Sequence, residues 1–257
     1  MNVEKLLRTL QVNFPYLLEA KFTLMRLFRN GLSLPFEKDF YAISLFPDVD
    51  EWLFLDVGAN RGQSTDAILM NRRNARLQLF EPNQLLCQKL RRLFSNDKRI
   101  IINNFGLGSE STEGVLYIPF YKKWMFDGLA SFSEQNARNW LSNNRIYFYN
   151  ESFLALKEVK CQIKRLDELE LAPFFIKIDI QGYEYQALKG GEQTIQKYKP
   201  ILLLESPDDR IVKYLKGFNY QFYAFKAGKF FPDTFGSPNT FFMTKEKAYL
   251  VKNNIGK

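Results

Sequence analysis

A chain without histidine must move protons with carboxylates, lysine, tyrosine, cysteine or water, and these 257 residues contain no histidine. Ser-His-Asp and Cys-His catalysis and imidazole metal ligation are therefore excluded. Cys87 and Cys161 lie far apart and form no CxxC, so they read as buried, reduced thiols. Acidic residues at particular places remain. The sharpest pattern is LDVGANRGQST, where a strand ends at Asp56 and Gly58 and Gly62 bracket a turn before a helix. Glycine permits positive φ and close approach of the backbone to a ligand, and the helix start offers free N–H donors. Asp56 then suits a ligand ammonium or hydroxyl; the alternative is a tight turn with a capping Asp.

Glu81, in FEP at the end of a second strand, follows about 20 residues later, where an acidic residue commonly takes a ribose diol. Its alternative is a strand-end Glu facing water. Together Asp56 and Glu81 frame a nucleoside-bearing cofactor. The dinucleotide fingerprint GxGxxG is missing, and bulky Arg61 stands where a pyrophosphate would need room. A cofactor without pyrophosphate, such as S-adenosylmethionine, suits the turn better. The third pattern is KIDIQGYEYQALKGG, in which Lys177 and Asp179 are two apart and point to one side of a strand. Asp179, Glu184 and Glu205 could converge on one open face, to bind a divalent cation or to deprotonate an acceptor. Otherwise Asp179 pairs with Lys177, Glu184 braces its helix, and Glu205 ends a strand facing water.

The elements that must position these residues follow from the apolar pattern. WLFLDV (52–57), RLQLFEP (76–82) and RIIINNF (99–105) are strand candidates separated by helical stretches, a β-α-β-α-β rhythm that predicts a parallel, helix-covered sheet. GVLYIPF (114–120), EVKCQIK (158–164), FFIKIDI (174–180) and ILLLE (201–205) continue the strands. A helix over roughly 183–197 is interrupted at Gly190–Gly191, and another lies near 208–216. GFNYQFYAF and NTFFMTK alternate like an antiparallel pair closing one sheet edge. Residues 1–45 read as a helical extension, with Leu7, Leu10, Phe14 and Leu17, then Leu18, Phe22 and Met25, at helical spacing and a break at Pro15. This amphipathic segment is expected to dock on its own domain, a membrane surface or partner being the alternative. Residues 46–257 form one α/β domain, in which 121–150 reads as an insertion or lid carrying acceptor contacts.

The net charge of +8 invites a nucleic-acid reading, but the basic pairs are scattered. They would equally attract an anionic glycan or a lipid surface. The N-terminal stretch MNVEKLLRTLQVNF lacks a signal-peptide layout, and no run of about 18 apolar residues spans a membrane. A cytoplasmic location is expected, peripheral membrane contact stays open, and nothing sets an oligomeric state.

DVGANRG, FEP, the NFGL stretch at 104–107, ASF at 130–132 and KIDIQGYEYQALKGG followed by KPILLLE resemble the FkbM-type methyltransferases in order and spacing, over roughly residues 50–245. The resemblance implies a class I methyltransferase fold of seven strands in the order 3-2-1-4-5-7-6, with helices on both faces. It also implies S-adenosylmethionine as methyl donor and a hydroxyl of a sugar, glycan or natural product as acceptor. Carried over by position, Asp56, Gly58, Asn60 and Gly62 would hold the methionine part, Glu81 the ribose, and Phe105 would lie near the adenine. Asp179 and Glu184 would lie near the acceptor, as first and second choice of base. Ser131 matches a recurring serine without an assigned role. Gln181 stands where the family often has a second acid, which weakens a metal-binding cluster, and no metal ligand is assigned.

Two rivals differ in class. Tyr185 and Lys189 have the Y-x-x-x-K spacing of short-chain dehydrogenases, but the residue thirteen before Tyr185 is Ala172 rather than serine. Nucleic-acid or protein N-methylation is the closer rival. Base methyltransferases of this fold carry an N/D-P-P-Y/F/W-like motif where this chain has IDIQGY, so nucleic acid is not favoured.

Overall fold

The computed structural model describes residues 3–49 and 52–256. Two helices open it, α1 (Val3–Gln11) and α2 (Leu18–Gly31), separated by a 3-10 turn over Pro15–Leu17. A strand-helix alternation follows: β1 (Leu53–Val57), α3 (Gln63–Asn71), β2 (Arg76–Phe80), α4 (Gln84–Leu93) and β3 (Ile100–Asn103). Next come β4 (Gly106–Leu107), β5 (Thr112–Tyr121), β6 (Trp124–Met125), α5 (Glu134–Asn139) and β7 (Leu154–Lys164). The last part holds β8 (Pro173–Ile178), α6 (Glu184–Gly190), α7 (Glu192–Tyr198), β9 (Ile201–Glu205) and α8 (Asp209–Lys216). It ends with β10 (Gln221–Lys226), β11 (Lys229–Pro232), β12 (Asn239–Met243) and α9 (Lys245–Tyr249).

The main sheet runs β11-β10-β12-β9-β8-β1-β2-β3. Its five strands from β3 to β9 are parallel, β12 runs antiparallel to β9, and β10, antiparallel to β12, returns to the direction of the five. Leaving out β11, this is the expected order 3-2-1-4-5-7-6. The expected seven strands are eight, because the chain folds back after Lys226 and pairs β11 with β10. β8 is buried at all six positions, as a parallel strand covered on both sides must be. Alternate residues feed two cores. Phe54, Phe175 and Leu203 pack with Ala67 and Ile68 of α3 and with Phe40 and Ile43. Leu55, Ile176 and Leu202 pack on the other face with Leu188, Ile195 and Leu215.

The middle of the chain departs from the expected single sheet. GVLYIPF belongs to β5, which pairs along its length with β7 in a separate four-stranded sheet ordered β4-β7-β5-β6. Long antiparallel partners satisfy each other locally, so β5 takes no place on the parallel edge. Leu116, Ile118 and Tyr121 of this sheet are buried in one cluster with Val12, which follows α1, Leu18 of α2, and Leu141 and Ile146. The N-terminal segment thus docks on the second sheet through Leu18 and Phe22 of the second predicted stripe, but not through the first. Leu7, Leu10, Phe14 and Leu17 are 43–51% exposed, because the chain breaks at Pro15 and the register of α1 is lost before α2 begins. Leu24, Leu27 and Phe28 of α2 also face outward. Among the described residues no helix is long and apolar enough to cross a membrane.

Candidate active site

The carboxyl ends of β1, β2 and β8 meet at one edge of the sheet, where ligands of open parallel sheets bind. The turn after β1 is held by Gly58 and Ala59, whose N–H groups both donate to the Phe80 carbonyl at 3.0 and 3.2 Å. Gly58, Asn60 and Gly62 all have positive φ. Gly62 caps α3 in the left-handed conformation, with Phe94 and Leu90 packed where a side chain would go. A Cβ at Gly58 would lie 1.9 Å from the Asp179 carbonyl oxygen. This approach brings the β1 and β8 strand ends together.

Register places Asp56 beside Lys177, and both are buried. The Asp56 carboxylate accepts from the Ser64 hydroxyl at 2.8 and 2.7 Å and from the Thr65 hydroxyl at 2.7 Å. The ammonium it faces is that of Lys177, at 3.8 Å, rather than an open cavity. Lys177 also reaches Asp179 at 3.3 Å. Burial alone would depress the Lys177 ammonium, but Asp179 and Asp56 outweigh it and raise its pKa. Asp56→Ala is expected to cost about 1–3 kcal/mol, because the buried Ser64 and Thr65 hydroxyls lose their acceptor while Lys177 keeps Asp179 at 3.3 Å. Urea unfolding of the variant against the parent checks this value; a loss under about 1 kcal/mol would deny Asp56 that bracing role.

Glu81 is buried, and its two oxygens accept from the backbone N–H groups of Asn60 and Asn83, each at 2.8 Å. Burial pushes its carboxyl up to about 7 against the pull of those two N–H groups. Asn104 holds the segment from outside, donating to the carbonyls of Glu81 and Pro82 at 3.0 and 3.2 Å. Phe105 stacks obliquely on Phe80, 5.6 Å between centroids, with the Lys164 ammonium 4.7 Å from its ring.

Beyond β8, Asp179 and Glu205 come together through Gln181, whose Nε2 donates to both carboxyls at 2.9 Å. Burial works against ionising Asp179, yet Lys177 and the hydrogen bonds from Glu205 and Gln181 hold its carboxyl below the usual range. Glu205 goes the other way, pushed up to about 8 by burial and by the Asp179 charge. The two carboxyls therefore titrate as a pair, with Asp179 the more acidic and Glu205 the one that keeps its proton longer. Glu184 does not join them. Its Oε1 accepts from the N–H groups of Ile180 and Gly182 at 3.0 and 3.1 Å, so it braces its own loop as an N-terminal carboxylate of α6. The expected convergence of three acids is thus one of two. Among the described residues no group of three or more acidic or thiol side chains is arranged to hold a metal ion, so the divalent cation finds no ligand set.

One cavity gathers Gly58, Asn60, Glu81 and Asp179 with Gln181 and, from the second sheet's loop, Asp127, Gly128 and Phe132. Asp56, Gly62, Phe105 and Glu184 do not line it. Ser131 ties the loop to the floor, its hydroxyl donating to the Gln181 carbonyl at 2.8 Å. The sequence reading missed Arg61 as a clamp. Its guanidinium, 7% exposed, pairs with Asp127 and with Glu19 of α2 and lies 4.2 Å from the Phe22 ring. No local pattern announces it, since both partners are remote in sequence. Tyr185 and Lys189 are outside the cavity; Tyr185 packs on Tyr214, with Arg210 over its ring.

This arrangement agrees with what the chain is similar to. Among solved structures, a methyltransferase FkbM from Methylobacillus flagellatus KT shares the fold at a TM-score of 0.50 and 17% identity, over 79% of this chain and 47% of that one. The chain therefore spans about half the length of that protein. A putative methyltransferase from Streptococcus mutans, solved in complex with SAH, is 9% identical with a TM-score of 0.42, over 81% of this chain and 96% of that one. No curated protein matches the sequence. The methyltransferase FkbM domain matches residues 56–222, from the acid that braces the first turn to the strand that closes the sheet. With more than half its length inside that match and the strand order of the class I methyltransferases, the chain belongs to the FkbM methyltransferase family.

Proposed function

We propose that this protein transfers the methyl group of S-adenosylmethionine to a hydroxyl oxygen of a sugar, glycan or natural product. The observation that carries the reading is the lining of one cavity by Gly58, Asn60 and Glu81 together with Asp179. The donor set suits the cofactor. Glu81 is preset by two backbone N–H groups and keeps lone pairs for ribose hydroxyls. Gly58 and Asn60 present backbone to the methionine part, and the Asp127–Arg61 pair leaves no cradle for a pyrophosphate. When bound, S-adenosylmethionine supplies a methyl group already activated by its sulfonium. The chain's own work is then to align the acceptor oxygen and take up its proton. Asp179 is the base, ionised at neutral pH and oriented by Lys177 and Gln181. Glu205 holds the neighbouring proton, and Glu184 keeps the loop between them in shape.

Calorimetric titration with S-adenosylmethionine, S-adenosylhomocysteine and NAD tests the donor. Micromolar binding of the adenosyl ligands is expected; tight NAD binding with no adenosyl signal would overturn the reading. The pH dependence follows from Glu81. Its folded pKa is raised, so below about 7 the carboxyl is protonated in the free protein. Ribose hydroxyls donate to the ionised form, so binding releases a proton. Affinity should rise with pH, by up to about tenfold per unit, and level off above about 7. Glu81→Gln should flatten the profile, as measured in buffers of different ionisation enthalpy.

A further inference from the structure

A second cleft of about 600 Å³ lies between the N-terminal helices and residues 124–129, and it shares Asn60, Asp127 and Gly128 with the cavity above. Its walls combine two kinds of group. Trp140 and Phe22 supply aromatic surface, Trp124 backs the wall at 4% exposed, and Arg8 and Lys21 supply positive charge. The Arg8 guanidinium lies 5.0 Å from the Trp140 ring, and the Lys21 ammonium lies 5.7 Å from the Trp124 ring. Among the described residues Asp127 is the one acidic residue on the wall, and Arg61 already occupies it.

Lys21 is the informative residue. It is half-buried, and its ammonium donates to the neutral Gln11 Oε1 at 3.1 Å. Among the described residues it makes no ion pair. Burial and the nearby Arg8 lower its pKa, with Asp127 opposing and Arg61 adding to the repulsion. A half-buried ammonium without a counter-ion carries an unrepaid desolvation cost, which an anion in the cleft would offset. Aromatic faces beside such a charge suit a sugar ring, whose C–H faces pack on the indole while its polar edge is hydrogen-bonded. The volume is that of an ordinary small-molecule site.

Resting on the methyltransferase reading, we propose that this cleft anchors the acceptor and that the acceptor is an anionic glycoside. Its phosphate or carboxylate is held by Lys21 and Arg8, and its ring packs on Trp140 with Trp124 behind the wall. The edge shared at Asn60 and Asp127 then leads its hydroxyls toward Asp179.

Intrinsic fluorescence tests this on the unmodified protein, because two of its three tryptophans line the cleft and Trp52 is stacked on Phe174. With S-adenosylhomocysteine saturating, the protein is titrated with glucose 1-phosphate, glucuronate, methyl glucoside and inorganic phosphate. The expected result is a saturable change with the two anionic sugars, about tenfold tighter than with the neutral glycoside or with phosphate alone. Comparing glucose 1-phosphate with glucuronate identifies which anion is held. Lys21→Met, which keeps an unbranched apolar stem one atom shorter and breaks no ion pair among the described residues, should weaken anionic-sugar binding about tenfold. Equal binding of the neutral glycoside, equal binding of phosphate alone, no response to any sugar, or an unaltered Lys21→Met variant would each overturn the proposal. Calorimetry of S-adenosylhomocysteine on the same samples separates the two readings: retained nucleoside binding confines a failure to the acceptor, and its loss removes the donor reading as well.

Discussion

Asp179→Asn should lower turnover by about 10²–10⁴-fold, the usual contribution of a positioned base, while changing affinity for S-adenosylhomocysteine by no more than a few-fold. The substitution keeps size and removes the charge. Lys177 retains Asp56 at 3.8 Å, so the buried ammonium is not stranded. Glu205 loses the neighbouring charge that helps to raise its carboxyl to about 8, and its titration should move back toward the ordinary carboxylate range. That shift, read by NMR, shows whether the two carboxyls are coupled independently of any acceptor. Single-turnover kinetics on an identified acceptor then reads the chemical step. Near-normal turnover in Asp179→Asn would remove the base from this site, and no histidine exists to replace it.

Gly58→Ala should abolish nucleoside binding and cost stability as well. Two independent penalties act. The residue has φ +81°, a conformation that costs a non-glycine residue about 1–3 kcal/mol. The new Cβ would also lie 1.9 Å from the Asp179 carbonyl oxygen, a backbone atom that moves only if the β8 strand end moves. The same displacement shifts Asp179 and opens the turn that orients Glu81. Gly31→Ala is the control: nothing lies within 4 Å of a Cβ there, and a helical glycine gains up to about 1 kcal/mol from alanine. Thermal unfolding and calorimetry on both variants measure the contrast. A Gly58→Ala protein that unfolds and binds like its parent would mean that the two strand ends do not need this close approach.

The clamp at Arg61 connects these predictions to the inferred acceptor cleft. One side chain on the turn after β1 holds α2 through Glu19 and the second sheet's loop through Asp127. The cleft walls come from those same two segments, so the turn and the acceptor side are built against each other. Glu19 is more than half exposed, and that arm of the clamp is the weaker one.

By itself the sequence determined what local pattern can encode. Buried runs such as LFLDV and ILLLE read as covered parallel strands, and glycines at 58 and 62 marked a turn that no side chain could enter. The placing of Asp56, Glu81 and Asp179 at three strand ends followed from that rhythm, whereas the strand order was what the family resemblance implied. Tertiary structure alone decided which acids meet. Asp179 and Glu205 join through the Gln181 amide, whereas Glu184, five residues from Asp179, turns back to cap its own loop because the N–H groups of Ile180 and Gly182 are closer. The antiparallel match of β5 with β7, the exposed stripe of α1 and the Arg61 clamp also lay beyond reach. Each depends on which remote segment packs against which, and burial, not sequence spacing, sets that energy.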